Sequence, residues 1–152
     1  MMITYQLEQW NSYYPDCLPL WREHYDEFRP FHKGRLVFGP DIEMYRELDR
    51  LGQLNIMVAR SAGKMVGYCL VVIRRHPHYQ NVCGFEDSYF VTQDCRHGWN
   101  GIRLIQRSIA ELARRGVNVS YFATKEFNSI ARIFEFLGLL RCDTMYCTGL
   151  GD

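Results

Sequence analysis

Tyr89 to Ile105 reads YFVTQDCRHGWNGIRLI: an apolar run, a polar turn with two glycines, and then residues at helical spacing. A strand that passes through such a turn into a helix leaves several backbone N–H groups unpaired, and the helix dipole adds partial positive charge there. That combination suits a phosphate or diphosphate. The pattern Arg96-x-Gly98-x-x-Gly101 lets an anion approach the backbone, and Arg96 and Arg103 could add guanidinium charge to it. The alternative is a turn that only redirects the chain, for which glycine is equally fit. The lysine and Ser/Thr of a Walker loop are missing, and the spacing is not that of a dinucleotide fingerprint. A second group, His76-Pro77-His78-Tyr79, offers imidazoles that titrate near neutrality. With no third ligand evident, it reads as a turn histidine held by backbone contacts, and no metal is expected.

The elements that must position these residues follow from periodicity and turn chemistry. Ile3, Tyr5 and Leu7 alternate as a first strand. A helix ends in LWREHYDEF, with Leu20, Trp21, His24, Tyr25 and Phe28 on one face, and RPFHKGRLVFG reads as a loop. PDIEMYRELDRLG is a helix with Asp41 as N-cap and Gly52 at its end. Strands NIMVAR and MVGYCLVVI are joined by SAGK, which is hairpin chemistry. RRHPHYQNVCG is a polar connection, and strand FEDSYFV enters the turn. A helix from about Gly101 to Arg115 buries Ile102, Ile105, Ile109 and Leu112, and Gly116 stops it. Strand VNVSYFAT, helix NSIARIFEFLG and a last strand around CDTMYCT complete the order β-α-α-β-β-β-α-β-α-β. This predicts an α/β chain of the α+β kind, with a mixed, mostly antiparallel sheet and helices on both faces.

The chain has 152 residues, which suits a single domain over 1–152. Eighteen Lys and Arg against 17 Asp and Glu give no general reason to expect nucleic acid or an anionic membrane. The arginines from Arg103 to Arg115 are spread round their helix and interrupted by Glu111, which reads as a solvated face. No apolar run approaches a membrane span and the N-terminus lacks the features of a secretory signal, so a cytoplasmic protein is expected. The six cysteines are scattered without a C-x-x-C pair and read as buried free thiols.

With these elements in place the chain resembles the GCN5-related N-acetyltransferases (GNAT), whose acetyl-CoA loop follows the fourth strand and reads approximately R/Q-x-x-G-x-G/A. Arg96 and Gly101 match its first and sixth positions, and Trp99 replaces its middle glycine. The similarity is greater to compact phage-encoded members with a loop like R-G-G-x-x-G-x-R-L, where Arg96, Gly98, Gly101, Arg103 and Leu104 match and His97 departs. EHYDEF, GPDIEMYRELDRLGQL, VGYCLVV, HPHY, EDSYFV and FLGL fall in the order of that group, so the resemblance spans most of the chain and would suit a phage protein acting in a host cytoplasm.

The resemblance implies acetyl-CoA as co-substrate and a primary amine, on a protein lysine or a small molecule, as acceptor. Phe90 and Val91 would pair with the pantetheine arm, and the amides of His97, Gly98, Trp99, Asn100, Gly101 and Ile102 would hold the diphosphate. Asn128 matches an asparagine that contacts the cofactor beyond it. The tyrosine that commonly protonates the leaving thiolate is Phe134 here, so Tyr146 becomes a candidate donor. A carboxylate can take the amine proton, and Glu86 and Asp87 are placed for it. Strand alternation sends these two to opposite faces, and Asp87 is favoured because an aspartate recurs there in the phage pattern. His78 is a further candidate, His24 and Glu27 could line the acceptor pocket, and a homodimer is left open. Phe134 and Trp99 also fit an alternative from another class, a catalytically silent acyl-CoA-binding or protein-interaction domain.

Overall fold

In the computed structural model of the chain, residues 2–32, 36–125, 130–146 and 148 are described, without the side chains of 31 and 32. Strand β1 (Ile3–Glu8) is followed by α1 (Trp10–His32), α2 (Ile42–Arg50), β2 (Leu54–Ser61), β3 (Lys64–Arg75) and β4 (Val82–Val91). A short 3-10 turn (Gln93–Cys95), α3 (Asn100–Arg114), β5 (Val119–Tyr121) and α4 (Ile130–Phe136) follow among the described residues. The strands lie in sequence order, β1-β2-β3-β4-β5. Neighbours are antiparallel except β4 and β5, which run parallel because α3 carries the chain across the sheet.

Local chemistry explains the elements. The Asp41 side chain accepts from the Met44 N–H at 3.0 Å and caps α2. Ala62 and Gly63 both have positive φ, +49° and +80°, which a two-residue hairpin turn between β2 and β3 requires. Trp10, Tyr13, Trp21, Tyr68 and Phe90 form a core on one face of the sheet with residues of α1, while Val66, Val71, Val91, Leu104 and Leu112 form a second core beneath α3.

Five expectations are corrected. Helix α1 runs to His32, so the first residues of RPFHKGRLVFG are helical although Pro30 lies among them. The strand read from VNVSYFAT shrinks to Val119–Tyr121, three residues paired with Cys83–Phe85. No final strand forms over residues 141–146, which are exposed; a three-residue edge at β5 offers few backbone groups for another strand to pair with. In α3 the buried stripe is Leu104, Ile105, Ser108 and Leu112, with Ile102 and Ile109 only half-buried on its flank. Cys17, Cys69, Cys83 and Cys95 are buried free thiols, but Cys142 is exposed, as are its neighbours from Arg141 to Tyr146. Cys147 and Asn128 lie outside the described residues. No described helix is long and apolar enough to cross a membrane.

Candidate active site

Strand β4 pairs with β5 only through Phe85. Beyond that point β4 continues for six residues, Glu86 to Val91, and no described strand pairs with its β5-side edge. The gap opens into a cavity of about 1060 Å³. Its walls come from α1 (Trp21, His24, Glu27), β4 (Glu86 to Val91), the turn (Arg96, Gly98, Gly101, Ile102) and α4 (Ile130, Ile133).

Glu86 and Asp87 both line this cavity, contrary to the alternation expected of them. The cause is a bulge. Leu70 of β3 faces Ser88 while the next residue, Val71, faces Glu86, so Asp87 is the extra residue. An inserted residue breaks the two-residue period and turns neighbouring side chains to one side. Burial pushes the Glu86 carboxyl up to about 7, against the opposing effect of the Ala123 N–H, which donates to its Oε2 at 3.1 Å. Its Oε1 accepts no hydrogen bond among the described residues. Asp87 is exposed and accepts from the Tyr45 hydroxyl at 2.7 Å. Burial and this carboxylate raise the Tyr45 phenol well above its ordinary range, so it stays a donor. The Tyr45 ring stacks on Trp10 at 5.4 Å and 6°, which fixes the direction of the hydroxyl.

At the other end, Arg96 is committed within the protein. Its Nε donates to the Val91 carbonyl at 2.6 Å, and its two terminal nitrogens bind both carboxylate oxygens of Glu27, at 2.9 and 2.5 Å. The guanidinium also lies 5.1 Å from the Phe90 ring centroid. Arg96 therefore ties the turn to α1 and the end of β4, with Glu27 balancing its charge. Gly98 has φ +62°, a left-handed conformation that favours glycine. Gly101 stands against the Tyr89 hydroxyl, which occupies the space where a Cβ would project. Asn100 holds the turn from inside, its side-chain amide donating to the Cys95 carbonyl at 3.1 Å.

The remaining candidates divide. Phe90 and Val91 are buried on β4 at the cavity wall. His97, Trp99 and Asn100 belong to the turn, yet their side chains are not part of the cavity lining. Arg103 is exposed and borders a separate surface hollow with Tyr5 and Arg107. Tyr146 reaches the cavity mouth and is 93 % exposed. His78 lies in the β3–β4 turn, outside the lining, separated from Asp87 by the five strand residues Val82 to Glu86, roughly 16 Å of extended chain. There its backbone N–H donates to Nδ1 of His76 at 3.2 Å, the backbone-held turn that the sequence suggested. Among the described residues no group of three His, Cys, Asp or Glu side chains is placed to hold a metal ion. His24 faces the cavity, bonded through Nδ1 to the Tyr68 hydroxyl at 2.8 Å and stacked on Phe90 at 5.0 Å. Phe134 is buried against Phe122, with ring centroids 5.8 Å apart.

Two participants were missed from sequence. The sequence pattern places Tyr45 only within the helix PDIEMYRELDRLG and Tyr89 only within the strand FEDSYFV. Neither carries a local signal, since each is defined by a partner more than ten residues away: Asp87 for Tyr45, Gly101 for Tyr89.

In sequence the chain matches no family model and no curated protein. In structure it is similar over nearly its whole length to solved proteins. It covers 99 % of itself and 100 % of an aminoglycoside acetyltransferase from an uncultured soil metagenomic sample, with TM-score 0.76 and 14 % identity. Against glucosamine-6-phosphate N-acetyltransferase from Arabidopsis thaliana the coverage is 99 % and 100 %, the TM-score 0.75 and the identity 12 %. A transcriptional regulator from Bacillus halodurans C-125 matches with TM-score 0.77 and 16 % identity, over 98 % of this chain and 100 % of that one. At such identities the likeness defines the fold: a mixed five-stranded sheet with four helices, α+β and GNAT-like.

Proposed function

We propose that the protein is an acetyl-CoA-dependent N-acetyltransferase acting on a primary amine, of a protein lysine or a small molecule. The observation that carries this reading is the parting of β4 from β5 directly above the Gly98–Gly101 turn. An extended pantetheine arm can enter that gap and pair with the backbone at Phe90 and Val91. The amides from His97 to Ile102 meet the diphosphate at the start of α3. The fold's solved relatives that are named acetyltransferases support the reading.

The acceptor amine approaches the thioester from the side of α1 and α2. Asp87, oriented by Tyr45, attracts its ammonium form. Glu86 takes a proton to leave the neutral amine, and a carboxyl near 7 is matched to that task. The nitrogen lone pair attacks the carbonyl carbon, the N–C bond forms, and the C–S bond breaks with its electron pair on sulfur. The nitrogen then sheds its second proton to leave the neutral amide, and the thiolate takes up one, relayed through Tyr146 at the cavity mouth or through water. Holding the two substrates in line supplies a large share of the acceleration.

Phe134 favours a second reading, a silent acyl-CoA binder, because that buried ring has no proton to give. The test is a panel of peptide lysines and small amines mixed with acetyl-CoA, reading free thiol and acetylated product together. Product on any acceptor, scaling with protein, supports the transferase. Acetyl-CoA binding with no product on the whole panel supports the silent binder.

A further inference from the structure

Among the described tryptophans and phenylalanines, Trp99 and Phe136 are the exposed ones. The chain has three tryptophans. Trp10 and Trp21 are 2 % and 7 % exposed, whereas Trp99 is 54 % exposed. Its ring meets Phe136 of α4, itself 62 % exposed, at 5.4 Å between centroids and 53° between planes. Two large rings left in water next to each other, on separate elements, leave apolar surface that neither covers for the other.

Their position relative to the cavity gives that surface a purpose. Trp99 sits between Gly98 and Gly101, which line the cavity. Phe136 follows Ile133, another lining residue, by three positions, so it continues the same face of α4 outward. The pair is therefore an exposed shelf beside the turn, at the edge of the cavity. Coenzyme A has a fixed covalent order: pantetheine, diphosphate, then ribose and adenine. With pantetheine in the gap and diphosphate on the turn's amides, the nucleoside must leave on the solvent side of that turn. A flat base meets an exposed indole there.

On the acetyl-CoA reading above, we infer that Trp99 and Phe136 form the platform on which the adenine ring of the cofactor stacks. Base stacking on an aromatic side chain needs no hydrogen-bond partner and works through the π-face alone. Trp99, the residue that departs from the glycine pattern of the loop, thus adds a contact to the cofactor. The tilt between the rings lets the base lie flat on one of them and meet the other edge-on.

The experiment is a titration, by calorimetry and tryptophan fluorescence, with coenzyme A and with 4′-phosphopantetheine, which lacks the adenosine together with its 3′-phosphate and one phosphate of the diphosphate. Wild type, Trp99→Ala, Trp99→Phe and Phe136→Ala are compared. Coenzyme A is expected to quench the emission of the exposed tryptophan in wild type and in Phe136→Ala. Trp99→Ala is expected to weaken coenzyme A by roughly tenfold and leave 4′-phosphopantetheine unchanged, and Trp99→Phe to restore most of the affinity. Unchanged coenzyme A affinity in both alanine variants would overturn the platform while leaving the acetyl-CoA reading standing. An equal loss for both ligands would also overturn it, assigning Trp99 to the shape of the turn. A wild type that binds neither ligand would overturn the acetyl-CoA reading and the platform with it.

Discussion

On one face of the sheet, under α1 and α2, the rings of Trp10, Tyr13, Trp21, Tyr68 and Phe90 are buried among aliphatic side chains such as Leu54, Ile56 and Leu70; on the other, under α3, the described buried side chains, Val66, Val71, Val91, Leu104 and Leu112 among them, include no aromatic ring. Rings with polar tips need partners when buried, and the aromatic face supplies them to all of these but Trp10, whose buried Nε1 has no hydrogen-bond partner among the described residues. Trp21 Nε1 donates to the Tyr13 hydroxyl at 2.7 Å, His24 Nδ1 bonds the Tyr68 hydroxyl at 2.8 Å, and the Tyr45 hydroxyl donates to Asp87 at 2.7 Å. On the aliphatic face the buried Asn55 donates to the buried Ser108, and the half-buried Arg115 donates to the Leu54 carbonyl. Burial pushes the Cys69 thiol on that face up to about 12, so it stays protonated and packs as a small apolar group. The difference assigns a task to each face. Stiff rings hold the polar groups of the cavity in fixed directions, while aliphatic packing holds the fold.

That division can be broken by measurement. Leu112→Ala, deep on the aliphatic face, is expected to cost about 2–5 kcal/mol in denaturant unfolding. The folded protein should still bind acetyl-CoA as tightly as wild type, and a matching loss of affinity would end the division of labour.

Glu86→Gln should do the opposite. Its turnover on any accepted amine should fall about 100-fold or more, with acetyl-CoA affinity intact. Its stability should rise at alkaline pH. The Glu86 carboxyl titrates at about 7 in the folded state, against 4.5 for an ordinary glutamate. Between those values the folded protein keeps a proton that the unfolded chain releases. Stability from this group is therefore full below about 4.5, falls as pH rises through 7, and is level above. Glutamine removes the loss, a gain of about 1–3 kcal/mol above pH 7. Parallel pH–stability curves for the two proteins would show that Glu86 is not held in an unfavourable site.

The smallest effect belongs to Tyr45→Phe, which keeps the ring on Trp10 and removes only the hydroxyl from Asp87. About 1 kcal/mol of stability and a several-fold loss in kcat/KM are expected, read from unfolding curves and steady-state rates. An unchanged kcat/KM would mean that the direction of Asp87 does not matter.

Much of this arrangement was legible in the sequence where the cause is local. The α2 cap at Asp41, the Ala62-Gly63 hairpin turn and the glycine turn into α3 all follow from residues within a few positions of one another. The bulge at Asp87 was not legible. Glu86-Asp87-Ser88 contains no glycine or proline to announce it, and its existence depends on how β3 and β4 settle against each other. The end of α1 was misread because Pro30 is a stop signal on its own, yet the helix continues to His32. Arg96 looked like a free cation for an anion, and only the fold shows that Glu27, 69 positions away, has claimed it. The last strand failed for a related reason: CDTMYCT has strand-like residues, but the edge it would join is three residues long.

The central claim is that the turn from Arg96 to Ile102 receives the diphosphate of acetyl-CoA. It is tested most directly by isothermal titration of acetyl-CoA into wild type and into Gly98→Glu. The account predicts micromolar binding by wild type and a loss of at least tenfold in the variant, whose carboxylate stands beside the diphosphate and whose backbone must keep a left-handed φ. Absence of binding to wild type, or equal affinity in both proteins, would contradict it.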